Sequence, residues 1–340
     1  MARRPTDRQR LEALLRTQER AIREAFLAAF DRIAASVDRR ALLAALERLQ
    51  SDRTPAALAA ALDALRVRDD LLAPLAEAIR GSYVAGGAAL LEAIPPSRAI
   101  VGFDGRHPRA ERWVQENAAR RVVEIAADQR EAIRAAVLGQ VEAGRNPRAI
   151  ITDIVGRVTP RGREGGIIGL TSQQAGYVAN ARRQLLDLDA GYFDRVRRDR
   201  RFDGLVRRAI NEGKPLPQAD IDRITRRYQD RLLAYRAEVV SRTESLNALR
   251  AGRDEGIRQA VDSGQIRADQ ITKVWRATRD KRTRDAHAEM DGQRVAYGEL
   301  FQSPTGAQLA YPGDTDHGAG PEDTIMCRCT VSYSVDFLGG

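Results

Sequence analysis

The sequence predicts a mainly α-helical protein with long helices, closed by a small C-terminal α+β module with a short-stranded sheet. Three observations predict it. Alanine, leucine and arginine are abundant while aromatic residues make up only 5% of the chain, a balance that favours helix over sheet. Apolar residues recur at steps of three, four and seven along much of residues 1–268, the spacing of helices with one buried face. From Lys273 onward that spacing gives way to short alternating runs between turn residues, the texture of strands.

Three regions follow: an N-terminal helical region over 1–97, a second helical region over 98–268, and the α+β module over 269–340. In the first, Leu11, Leu14, Leu15, Ile22, Phe26, Phe30 and Ile33 form one stripe, and Thr6 or Asp7 is placed to cap its helix. Thr54 and Pro55 read as the cap and first residue of another helix. The glycine pair in "SYVAGGAALL" suits close helix packing, and Pro95–Pro96 mark a boundary. In the second region a helix is expected from about Pro108 to Ala143, with Gly144 just past its end. Asn146–Pro147 restart a helix, and Thr171 with Gln174 is a capping box. A helix of more than 40 residues is expected from about Gln218 to Ser263, with a break near Arg250–Gly252. In the module, "KVWRA" and "QRVAY" read as strands joined through a turn at Asp291–Gly292. "TRDAHAEM" reads as a short helix capped by Thr283, and "IMCRCTVSYSV" as the last strand.

Bulk properties narrow the function classes. A chain of 340 residues is long enough for two or three domains, each with a real core. Its net charge of +9 arises from 56 basic and 47 acidic residues, which permits nucleic acid or an acidic protein surface as partner without choosing between them. A GC-rich genome would encode the same arginine content. No apolar run approaches the roughly 18–20 residues that span a bilayer, so no membrane partner is expected. The basic start lacks the apolar stretch of a secretory signal. Only 2 cysteines are present, which excludes a disulfide scaffold and makes a reducing compartment the default at synthesis.

Both cysteines sit in "TIMCRCTV". In an extended strand, residues two apart face the same way. Cys327 and Cys329 would then present their sulfurs to one side and Arg328 to the other. Their α-carbons would lie about 6.5–7 Å apart, near the upper limit for a disulfide, while the same spacing suits two ligands of one tetrahedral ion. His287 is a natural third ligand. Asp285 is the fourth candidate, with Asp291, Asp314, Asp316 and His317 as alternatives. Zinc, in a structural role, is the ion that thiolates plus imidazole select without redox chemistry. Two other readings stand beside this one. The cysteines fit as small, half-buried strand residues with His287 bonded to a carboxylate, and a thiol–histidine pair fits a metal- or thiol-dependent hydrolase built on His287, Cys327 and Cys329. The hydrolase reading lacks an oxyanion motif and has two competing thiols.

Two further features bear on partners. Arg195, Arg197, Arg198, Arg200 and Arg201, followed by Arg207 and Arg208, make the best basic patch and are the candidate nucleic-acid contacts. Phe202 is the patch's only aromatic residue, so it offers no stacking platform for bases, and a solvated face or an acidic protein partner explains it as well. The glycine-rich "RGREGGIIGL" lacks the G-x-x-x-x-G-K-[ST] order of a phosphate-binding loop.

Taken together, "KVWRATRDKRTRDAHAEMDGQRV", "YPGD" and "CRCTV" resemble the C-terminal signature of phage head morphogenesis proteins. These are the minor capsid proteins of the phage Mu protein F type and the related group typified by phage SPP1. The pattern falls on Trp275, Asp280, Arg282, Thr283, His287, Asp291, Gly292, Cys327, Arg328 and Cys329. "RTES" at Arg242–Ser245 and "GGIIGLTSQQAGYVANARRQL" extend the resemblance over roughly residues 101–335, and His317 departs from the pattern. The resemblance implies a non-enzymatic minor head protein of the virion, made in the host bacterial cytoplasm. It implies association with the portal protein and with capsid or scaffold proteins, and a part in assembly, genome packaging or DNA exit, with non-specific DNA contact as an accessory role. Some relatives carry a toxin domain after this module. This chain ends shortly after "TVSYS" and is expected to carry none.

Overall fold

The computed structural model describes residues 7–65, 68–92, 102–160 and 162–337; the proposed cap Thr6 and the Pro95–Pro96 boundary lie outside them. Helix α1 (Asp7–Ser36) buries Leu11, Ile22, Phe26, Phe30 and Ile33 of the expected stripe. In α2 (Arg39–Asp52) the Asp38 carboxylate accepts the N–H groups of Arg40 and Ala41, and α3 (Pro55–Ala64) has Thr54 as its cap. Helices α4 (Ala73–Leu91) and α5 (Pro108–Trp113) follow. The helix expected over 108–143 is continuous but not uniform. Val114–Ala119 form a π-type stretch between α5 and α6 (Arg120–Glu142).

Asn146 caps α7 (Pro147–Val155), and a small hairpin of β1 (Arg157–Thr159) and β2 (Gly162–Glu164) leads into α8 (Ser172–Leu186), where Thr171 and Gln174 form the reciprocal capping box. After α9 (Asp203–Glu212), α10 (Gln218–Asp262) runs 45 residues without the expected break at Arg250–Gly252. The module comprises β3 (Ile271–Arg276), α11 (Asp285–Glu289), β4 (Arg294–Ala296), β5 (Phe301–Gln302), β6 (Gln308–Leu309), α12 (Pro321–Thr324) and β7 (Thr330–Val335). Its sheet is antiparallel in the order β4-β3-β7, with Lys273 opposite both Val295 and Tyr333. Among the described residues no helix is long and apolar enough to cross a membrane.

The chain divides into two compact units, each assembled from separated segments: Met1–Ala25, Leu75–Arg120 and Glu238–Gly340 in the first, Phe26–Pro74 and Arg121–Ala237 in the second. The second unit is helical around Ile167, Leu170, Val178, Tyr228 and Leu232, with a further cluster of Leu185, Tyr192, Val206, Ile221 and Ile224. Its glycine-rich loop is tied down by side chains. The N–H groups of Gly165, Gly166 and Gly169 donate to Asp230 at 2.6 Å, Gln229 at 3.0 Å and Gln129 at 2.6 Å. Those amides are already satisfied, so the loop is no phosphate cradle.

In the first unit the glycines explain why α10 does not break. A Cβ on Gly86 would collide with the Leu249 carbonyl, one on Gly252 would collide with the Tyr83 carbonyl, and one on Gly256 would lie 3.2 Å from the Gly87 carbonyl. Glycine at 252 therefore serves backbone-to-backbone approach of α4 and α10 and leaves the helix intact. Tyr83 also stacks on Trp113 at 4.6 Å, and Arg109 pairs with Glu255 at 3.1 Å.

Two departures concern the module. The last strand begins only at Thr330, because Met326 adopts a left-handed φ of 56° and the Cys327 N–H turns back to the Thr324 carbonyl at 3.3 Å. Cys327 and Cys329 therefore lie in the loop entering β7. Thr283 does not cap α11; it closes a turn in which its N–H meets the Asp280 carbonyl at 2.9 Å and its hydroxyl accepts the Asp280 N–H at 3.2 Å.

Replacing Gly252 or Gly86 with alanine forces α4 and α10 apart, and a loss of about 1–3 kcal/mol is expected in urea unfolding. Gly139 lies within α6, and a Cβ added there would meet nothing within 4 Å, so Gly139→Ala is expected to be neutral or to stabilise by up to about 1 kcal/mol.

Candidate metal centre

The module's core gathers Trp275, Met290, Phe301, Leu309, Val331 and both cysteines. His287 enters it from α11, a helix of little more than one turn whose only buried residue it is. Cys327 and Cys329 enter from the loop after α12. Each sulfur lies 3.6 Å from His287 Nδ1, and the three ligand-type atoms all lie within 4.8 Å of one another. The residues are 1–2% exposed.

The other ring nitrogen is fixed. His287 Nε2 is 3.1 Å from Asp323 Oδ1, and Asp323 also accepts the Thr305 hydroxyl at 2.8 Å and the Ser303 hydroxyl at 3.4 Å. With its proton on Nε2 and donated to Asp323, the imidazole aims a lone pair from Nδ1 at the sulfurs. Trp275 meets the imidazole edge-on with ring centres 5.6 Å apart and packs in the same way on Phe301 at 5.3 Å, so an aromatic wall backs the site.

Arg250 of α10 holds the cysteine loop. Its guanidinium donates to the Cys327 carbonyl at 3.0 Å, to the Cys329 carbonyl and to the Pro312 carbonyl at 3.2 Å. It is 3% exposed. Between the cysteines, Arg328 turns the other way and pairs with Asp280, while its carbonyl accepts the Thr278 hydroxyl at 2.9 Å.

The electrostatics favour one negative charge on the sulfur pair. The Cys327 thiol is pushed well down because Cys329 donates to it and because Arg250 and His287 favour its thiolate, against the cost of burial. Cys329 is pushed up by that same sharing and by burial. Burial disfavours a charged His287, but its bonds to Cys327 and Asp323 outweigh this and raise it above its ordinary value. Once deprotonated, the two sulfurs and one imidazole nitrogen make a buried soft donor set.

Of the proposed ligands, the structure brings His287, Cys327 and Cys329 together and leaves the fourth-ligand candidates elsewhere. Asp285 is exposed at the start of α11. Asp291 accepts the Ala277 N–H at 2.8 Å and pairs with Arg279. His317 is bonded to Asp314 at 2.7 Å with its side chain 43% exposed, Asp314 also accepts the Ala310 and Asp316 N–H groups, and Asp316 is exposed. Sequence reasoning alone does not find Asp323 or Arg250. Asp323 is one of two acidic residues in "GPEDTIM", and Arg250 is one of many arginines on a long helix.

The arginine patch, in the second unit, is folded onto its own partners. Arg198 forks onto Asp203 at 3.0 and 2.9 Å, and Arg201 reaches Asp199 at 2.6 Å. Arg195 donates to Gln184 at 2.7 Å and to the Tyr177 carbonyl at 3.1 Å. Arg197 lies 3.8 Å over the Tyr235 ring. Arg200 is exposed. The aromatic faces that sequence distance hid are thus already covered by arginines. Asp199 is held down at about 2, chiefly by the Arg201 guanidinium. An ordinary aspartate titrates near 3.9, so this lowered carboxyl contributes stability that is complete above pH 4 and disappears as pH falls from about 4 to about 2. Asp199→Asn is expected to flatten that acid limb in a pH series of thermal melts and to lower stability at pH 7 by up to about 1 kcal/mol.

Comparison with known proteins follows the same residues. Residues 201–332 match the family model described as Phage Mu protein F like protein. The minor head protein GP7 of Bacillus phage SPP1 is 32% identical over 101 residues, 30% of this chain and 30% of that protein. No solved structure matches the chain. The matched segment spans α10 from its first residue to its last, α11, Asp323 and both cysteines. Over residues 201–332 the chain is thus similar to the Phage Mu protein F like family that its sequence resembles.

Proposed function

We propose that the chain is a minor head protein of a bacteriophage, built into the virion during assembly in the host cytoplasm and acting without catalysis. The observation that carries this is the family match over residues 201–332, which takes in the whole buried His287, Cys327 and Cys329 group and the Arg250 clamp. The finer role is association with the portal protein, with capsid or scaffold proteins alongside, in procapsid assembly and in packaging or ejection of the genome. The similarity to a minor head protein over part of its length supports this reading.

The chemistry of the site supports a structural use over a hydrolytic one. Both sulfurs are 2% exposed within a core that Trp275 and Phe301 share, and no substrate carbonyl reaches a thiolate there without opening that core. DNA contact has less support, because Arg198 and Arg201 are held by carboxylates and Arg195 and Arg197 by Gln184 and Tyr235.

Deleting the gene from the phage or prophage that encodes it is expected to lower infectious titre, and mass spectrometry of wild-type virions is expected to find the protein at low copy number. A wild-type virion lacking the protein, or an unchanged titre after deletion, would overturn the head role. Co-purification with the cognate portal tests the finer role. Recovery of the chain with capsid proteins alone would assign it to the head but away from the portal.

A further inference from the structure

We propose that His287 Nδ1, Cys327 Sγ and Cys329 Sγ are three ligands of a single zinc ion that fastens α11 to the loop entering β7, with Asp323 as the carboxylate that orients the imidazole. The inference rests on the geometry of these atoms and is independent of the head role.

The distances are those of a coordination polyhedron. Zinc bonds sulfur at about 2.3 Å and imidazole nitrogen at about 2.0–2.1 Å, so a tetrahedral angle sets each S···N edge at about 3.6 Å. Both observed edges are 3.6 Å. An Nδ1 lone pair accepts one S–H well, and a thiolate–imidazolium pair would favour one sulfur over the other. Both sulfurs approach the one nitrogen at the separation that two ligands of one tetrahedral zinc would have.

The surroundings match the requirement of a thiolate–imidazole site. The ring nitrogen facing away from the sulfurs is bonded to a 1% exposed carboxylate that is itself held by two hydroxyls, the arrangement that fixes a metal-binding imidazole's tautomer. Arg250 adds a positive charge at the backbone of both cysteines, which eases the accumulation of thiolate charge when both sulfurs lose their protons to the metal. Among the described residues no further His, Cys, Asp or Glu joins the group, so these residues supply three ligands. Binding releases the thiol protons, and the two thiolates and the dipositive ion leave the site neutral before the Arg250 charge is counted.

The test uses the full chain purified from cells grown with zinc. Plasma mass spectrometry is expected to find one zinc per chain. Replacement by cobalt is expected to give thiolate-to-metal charge-transfer bands in the near ultraviolet together with the intense visible bands of tetrahedral cobalt. Cys327→Ser, Cys329→Ser and His287→Ala are each expected to lose the metal. Asp323→Asn is expected to retain the site with affinity lowered about 10–100-fold, read by competition with a chromophoric chelator. Asp285→Ala is expected to keep full zinc content. If the cysteine variants fail to fold, removing zinc from the wild-type chain with chelator supplies the same information: both thiols then become reactive and the near-ultraviolet signal of Trp275 changes, and both effects reverse on adding zinc. A folded wild-type chain without stoichiometric metal, or one whose zinc content is unaffected by Cys327→Ser in a folded variant, overturns the proposal.

Discussion

A buried guanidinium with no carboxylate of its own in the cysteine loop organises the module. Arg250 gives its terminal N–H groups to three backbone carbonyls, those of Pro312, Cys327 and Cys329, while its buried Nε meets no partner. A charge in such a place is costly unless its donors meet oxygens. The loop therefore cannot slide along α10, because any shift would strand the charge. The position of the two sulfurs follows, since their own backbone oxygens are what the arginine grips. The left-handed turn at Met326 and the late start of β7 are the local cost of presenting those carbonyls. Arg250 itself is held in place because α10 lies against α4 at backbone contact, through Gly86 and Gly252.

A second buried charge, on the central strand of the sheet, follows a related rule. Lys273, 2% exposed on β3, sends its ammonium to the Ala310 carbonyl at 3.1 Å and lies 5.4 Å over the Phe301 ring. Burial lowers its proton affinity, while Asp254 and Asp314 counteract that. Asp254 in turn is pushed up by its own burial. The core of this module is therefore not a purely apolar one. It also holds polar groups that are each costly alone and compatible together.

Helices that announce themselves through caps and periodic stripes were legible in the sequence: Thr54–Pro55, Asn146–Pro147 and Thr171–Gln174 all start helices where local chemistry says they should. These are rules of neighbouring residues, and neighbouring residues suffice to read them. Gly252 was legible only as an interruption, because its purpose is a contact with Tyr83, which no local rule reports. The same limit applies to the site. The C-x-C spacing and the lone buried histidine of α11 pointed to one another, whereas Asp323 and Arg250 take their roles from distant backbone and ring atoms. Thr283 shows the converse: a residue with good capping chemistry that the Asp280 turn claims first. The arginine patch was legible as charge but not as paired charge, since Asp199 and Asp203 were present within the same run and only the fold shows them clasped.

The interleaving of the two units has a consequence for synthesis. The first unit needs Leu75–Arg120 and Glu238–Gly340 at once, and the glycine seam between α4 and α10 lies across that gap. On the ribosome, α4 leaves the exit tunnel long before its partner exists, with Gly86, Gly87 and the Tyr83 ring bare to water. The second unit has all its segments by Ala237 and is free to condense first, while the first waits for the last third of the chain. Contacts of such sequence separation close slowly, and exposed helix faces invite association during the wait. The order of translation thus places the cysteine loop and the strand that follows it, β7, after most of that unit's other segments.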